Sequence, residues 1–96
     1  DYAGAVDLWQ QVVAMQRGGA SVRLRLADAL VSAKRLPEAV DVYQTAISLD
    51  AGADVHRRLA DVYDALGRSD DGSRERARYI ALQLESLRQR APGDPR

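Results

Sequence analysis

The sequence predicts an all-α chain, an α-α superhelix of antiparallel helical hairpins with about five helices, on three observations. Apolar residues return at helical spacing almost throughout the 96 residues. No stretch alternates with the period of a strand for long enough to compete. The breaks between apolar stripes hold glycine, proline and small residues, the chemistry that ends helices and turns the chain.

The first stripe is Ala5, Leu8, Trp9 and Val12, which predicts a helix over 2–16. Gly18 and Gly19 follow, and both tolerate the positive dihedrals of a tight turn. Val22, Leu26, Ala29 and Ala33 predict a second helix over 21–34. Pro37 suits the first turn of a third helix over 37–50, whose stripe is Ala39, Tyr43, Ala46 and Ile47 and which Ala51 and Gly52 close. Val55, Leu59, Val62 and Leu66 predict a fourth helix over 53–67, ended by Gly67. Ala77, Ile80, Ala81, Leu84 and Leu87 predict a fifth over 71–91, stopped by Pro92, Gly93 and Pro95. Short turns between five helices imply antiparallel neighbours.

These stripes also recur. Ala39, Tyr43 and Ala46 stand 34 residues after Ala5, Trp9 and Val12, and Leu59, Ala60 and Tyr63 stand 33 after Leu26, Ala27 and Leu30. A further step of 34 from Ala39 reaches Ser73, Ala77 and Ile80, a weaker copy without the aromatic. One two-helix unit is reused. In these residues the chain resembles the tetratricopeptide repeat family over nearly its whole length. It departs from the family pattern at the tryptophan place (Arg23, His56), the glycine place (Ala27, Ala60) and the proline place (Ala51). Small side chains still stand where two helices must approach closely. The resemblance implies one helical repeat domain over 1–91: the second helix of a truncated repeat in 1–17, a complete repeat in 20–51, a degenerate repeat with a long last helix in 53–91, and a disordered tail in 92–96.

Composition excludes several function classes. Fourteen acidic and fourteen basic residues leave no net charge to draw the whole chain to nucleic acid or an acidic membrane. The last quarter is locally basic, with Arg74, Arg76, Arg78, Arg88 and Arg90 on one helix. A nucleic-acid site generally adds stacking aromatics or a groove-entering element, and only Tyr79 is near, so those arginines read as a solvated face. No cysteine is present, and His56 is the only histidine, so neither a thiolate nor a histidine cluster is available for zinc. His56 reads as a packing residue. Six or so serines lack a neighbouring base or a nucleophile elbow, and no glycine-rich phosphate loop follows a strand. No catalytic residue, cofactor or metal is expected. No apolar run is long enough to cross a bilayer and no secretory signal is visible, which leaves the cytoplasm as the default expectation. The single lysine beside abundant arginine and alanine is associated with bacterial coding bias, which is not a physical argument.

The resemblance implies a non-catalytic scaffold or adaptor that holds a peptide or partner domain on a concave face lined by the first helix of each hairpin. Leu24, Asp28 and Val31 form one ridge there and Arg57, Asp61 and Asp64 the next. Two aliphatics on a face opposite the core suit an amphipathic partner; the plainer account is that single exposed aliphatics are ordinary. On that account Asp54 with Arg58, and Asp64 with Arg68, are intrahelical pairs. Some family members clamp a terminal carboxylate with asparagine and lysine on this face. Asp28 and Asp61 stand in the asparagine places here and Lys34 lies elsewhere, so a neutral or basic segment is expected instead. The alternative function is self-assembly through the ends of the stack, with Val6, Val13 and Met15, which flank the main stripe, uncovered at one end and Tyr79 and Leu82 at the other.

Overall fold

The computed structural model describes residues 1–15 and 19–90, which form five helices and no strand: α1 (Tyr2–Ala14), α2 (Gly19–Ser32), α3 (Leu36–Ser48), α4 (Asp54–Ala65) and α5 (Ser69–Arg90). The expected turn at Gly18, the first helix's end at 16, the stop at Pro92, Gly93 and Pro95, and the tail 92–96 lie outside the described residues.

Three helices end with the same backbone device. Lys34, Asp50 and Gly67 adopt left-handed dihedrals, with φ of 66°, 65° and 77°. The next amide in each case reaches back to a carbonyl in the last turn: Arg35 to Leu30 at 2.8 Å, Ala51 to Ala46 at 3.1 Å and Arg68 to Tyr63 at 2.8 Å. This is the Schellman closure, which satisfies carbonyls that the helix end would leave orphaned. Only Gly67 adopts it without a side-chain penalty; Lys34 and Asp50 each accept roughly 1 kcal/mol of strain. The third helix therefore ends at Ser48, two residues short of the expected 50, and is closed by Asp50 rather than by Ala51 and Gly52.

Each helix packs chiefly on its neighbours in sequence, α2 with α3 and α4 with α5 as the two hairpins, α1 on α2, and α3 on α4. The result is stepped rather than bundled: the radius of gyration is 15.3 Å, against about 13 Å for a compact domain of similar length. The core runs through the stack as Val6, Leu26, Ala27, Leu30, Ala39, Val40, Tyr43, Ala46, Val55, Leu59, Val62 and Tyr63. Ala27, Ala39, Ala46 and Ala60 are fully enclosed, so their small volume is what lets adjacent helices approach. None of the described helices is long and apolar enough to cross a membrane.

Two stripes differ from expectation. In α1, Val6 is fully buried and Ala5, Trp9 and Val13 pack on the core, while Leu8 and Met15 are 56% and 60% exposed. Val6 is thus covered, contrary to its expected exposure, and Val13 is partly so. The helix is turned about its axis so that Leu8 leaves the core stripe.

In α5 the difference is larger. Ile80, Leu84 and Leu87, expected in the core, are 56%, 61% and 56% exposed, and the helix instead buries Gly72 and Glu75. The cause is register. The second unit repeats at 33 residues, as its caps at Lys34 and Gly67 also do, so Gly72, Arg76 and Tyr79 occupy the places of Ala39, Tyr43 and Ala46. Counting 34 instead selects Ser73, Ala77 and Ile80. One residue on a helix is over a quarter of a turn, enough to exchange the buried face for its neighbour. Gly72 is the close-approach residue of this hairpin: a Cβ there would sit 3.2 Å from the Ala60 carbonyl oxygen.

Candidate functional site

An apolar depression lies between α2 and α4. Its floor is apolar: Val31 from α2, Leu36 and the Tyr43 ring from α3, Val62 and Ala65 from α4; Arg58 and Asp61 form its lip, and it encloses about 200 Å³. Helical spacing makes the α4 wall, since Arg58, Asp61, Val62 and Ala65 recur at three- and four-residue steps beside the core stripe. The floor exists because α2 and α4 are separated by α3, whose Tyr43 fills the gap from below.

Tyr43 anchors the polar edge. Its hydroxyl donates to Asp28 Oδ1 at 2.6 Å, and Arg58 Nη1 donates to the other oxygen of the same carboxylate. Arg58 Nε donates to Asp54 at 2.7 Å, and Asp54 also pairs with Arg57 at 2.7 Å. Three helices are joined by this chain of contacts. Burial, then the bond to Asp28, raises the pKa of Tyr43 well above the ordinary phenol value. The guanidinium groups of Arg58 and Arg57 hold Asp54 below the usual carboxylate range, and Arg58 is stabilised as a cation chiefly by Asp54.

Of the residues expected on a concave face, Val31 and Asp61 do line this groove. Asp28 stands at its edge but is already engaged by Tyr43 and Arg58. Leu24 is half-buried and packs against the core instead of standing free. Arg57 pairs with Asp54, and Asp64 is turned to α5, where Arg76 meets it. The ridge Arg57, Asp61, Asp64 is thus divided between groove and hairpin seam. Asp64 does not pair with Arg68, which instead contacts Asp71 at 2.9 Å and lies 4.6 Å over the Tyr63 ring. The expected Asp54–Arg58 pair is present.

Arg58, Leu36 and Ala65 are groove residues that the sequence reading did not single out. Arg58 was visible only as a local partner of Asp54; its contact to Asp28 spans thirty residues. Four of the five arginines on α5 also have partners: Arg74 with Asp71, Arg76 with Asp64, Arg78 with Glu75 and Arg88 with Glu85. These pairs neutralise much of the basic face that the residue count suggested. Of the pair expected at the far end of the stack, Tyr79 is half-buried and accepts a 3.4 Å hydrogen bond from Gln83, whereas Leu82 is exposed.

Similarity to known proteins places this architecture. The family described as Tetratricopeptide repeat matches residues 1–57, more than half of the chain. Among solved structures, MamA AMB-1 is similar, with a TM-score of 0.79 and 30% sequence identity over 84% of this chain and 48% of that one. The chain therefore spans about half the length of that relative. No curated protein matches it.

Proposed function

Since the chain belongs to the tetratricopeptide repeat family, whose hairpins are protein-interaction scaffolds, we propose that it acts without catalysis and binds a peptide or partner domain in the groove between α2 and α4. In this reading α1 is the second helix of a truncated repeat, α2 with α3 a complete one, and α4 with α5 a degenerate one. The observation that carries the proposal is the groove itself: an apolar floor of Val31, Leu36, Val62 and Ala65 with charge confined to its lip. Binding surfaces on proteins combine an apolar centre and a polar rim in this way. The bound segment is neutral or basic, because carboxylates outnumber guanidinium groups around the groove. Replacing Val31 and Ala65 by glutamate is expected to remove binding of the cellular partner while leaving the helical circular dichroism intact. Leu24 is unsuitable for that test because it does not line the groove. Undiminished capture of the partner by the folded double variant counts against the groove.

A second reading is favoured by the ends of the stack. Leu8 and Met15 on α1 and Ile80, Leu82, Leu84 and Leu87 on α5 are exposed apolar side chains, and on α5 Ile80, Leu84 and Leu87 recur at helical spacing as one apolar face. Self-association through these ends would cover them, with Ile80, Leu84 and Leu87 in the role first assigned to Val6 and Tyr79. Sedimentation across a dilution series is expected to show a larger species that Ile80→Glu with Leu84→Glu abolishes. A monomer at every concentration overturns this second reading.

A further inference from the structure

The charges around the groove do not balance, and the imbalance specifies an occupant. Arg58 and Arg57 meet Asp28 and Asp54 in a closed set of two cations and two anions. Next along α4, Asp61 and Asp64 share one cation, Arg76, whose Nη2 meets Asp64 closely and stands 3.5 Å from Asp61. One carboxylate is left in excess, and it is Asp61, whose side chain is 66% exposed at the groove's lip. Beside it the floor is apolar and free of unpaired polar atoms, since among the described residues no buried side-chain nitrogen or oxygen lacks a hydrogen-bond partner. A guest side chain entering the floor therefore needs no polar atoms of its own, and a cation beside it would meet an exposed carboxylate that has only part of one guanidinium as its partner.

We infer that the α2–α4 groove is a subsite for a peptide segment in which an aliphatic side chain fills the floor of Val31, Leu36, Val62 and Ala65 while an adjacent lysine or arginine pairs with Asp61. This rests on the reading of the groove as the partner-binding face and adds the chemistry of the partner. An acidic segment is disfavoured because Asp61 repels it and Arg58 already holds two carboxylates. A lone apolar anchor would bind but would not be selected by charge. The pair with Asp61 lies at the lip, in contact with solvent, so its share is modest and salt-sensitive.

The test titrates the isotopically labelled chain with N-acetyl-Leu-Lys-amide and with N-acetyl-Leu-Glu-amide, followed by nuclear magnetic resonance at low ionic strength. The lysine peptide is expected to shift Val31, Leu36, Val62 and Ala65 saturably and to bind roughly threefold or more tightly than the glutamate peptide, the range of a favourable exposed ion pair. Asp61→Asn is expected to erase that preference without abolishing the shifts, and added salt to shrink it in the unsubstituted chain. Equal affinity for both peptides, or a preference that survives Asp61→Asn, overturns the inference while leaving the groove as an apolar docking site. Absence of saturable shifts at these four residues with either peptide overturns it as well, and capture of the cellular partner sensitive to Val31→Glu and Ala65→Glu would then show that the wider scaffold reading outlives it.

Discussion

Tyr43→Ala is expected to destabilise the protein by about 3–5 kcal/mol, the range for removing a buried aromatic ring, and to leave a chain of this size close to unfolding, because small domains are stable by only about 5–15 kcal/mol. The ring is almost completely enclosed at the junction of α2, α3 and α4 and forms part of the groove floor. Tyr43→Phe separates packing from hydrogen bonding. It retains the ring and removes only the bond to Asp28, so a loss of about 1 kcal/mol is expected. The hydroxyl also has a pH signature. Its folded pKa is raised, principally by burial, so its stabilising contribution is complete below the unfolded phenol value of about 10 and is lost as pH rises beyond it. Denaturant melts should therefore show the unsubstituted protein weakening above about pH 10 and the Phe variant weakening less, with the gap between them closing. A gap that stays constant with pH would mean that the phenol is not the responsible group.

Tyr43 also marks how far the sequence could be read. Its place was legible because a large aromatic stands between small residues at helical spacing, and Ala39 and Ala46, one turn to either side, are buried with it as that pattern implies. The hairpins, the absence of strands from the described residues and the use of alanine at close approaches were legible for the same reason: they are local properties repeated along the chain. The orientation of α5 was not. Its apolar stripe is real, but periodicity reports only that a helix has an apolar face and says nothing of which neighbour that face meets. A one-residue contraction of the second repeat moved Gly72 into the packing position that Ser73 appeared to hold. The groove was half legible on similar grounds. Val31 and Asp61 follow from the position of the first helices, whereas Arg58 was hidden because its decisive partner, Asp28, comes from another hairpin. Val6 shows the same limit in α1, where two adjacent valine and alanine positions compete for one core face and only the packing on α2 decides between them.

The way α5 is attached gives the second large expectation. This helix contributes no large buried apolar side chain; it is joined to α4 by Gly72, by Arg76 on Asp64 and Asp61, and by His56 Nδ1 against Glu75 Oε1 at 2.7 Å. Glu75 is the one buried charged residue among those described, and its second oxygen accepts from Arg78 at 2.5 Å. His56→Ala would leave the first oxygen in the seam without its partner. A loss of about 2 kcal/mol is expected, within the range for a buried acceptor that loses its hydrogen-bond partner, which corresponds to a fall in melting temperature of roughly 8–16 °C for a chain of this length. Substituting both residues, His56→Leu with Glu75→Leu, is expected to recover most of the loss, since the desolvation of both polar groups disappears with them. The two single variants and the double variant together isolate the coupling, and additive losses would mean that the pair contributes nothing as a pair. Hydrogen exchange locates the effect: in His56→Ala the amides of α5 should lose protection before those of α2 and α3, whose contacts are apolar and shared through Tyr43. Uniform loss across all five helices would instead mean that α5 is held as firmly as the core, and that its polar seam is not the weakest joint of the stack.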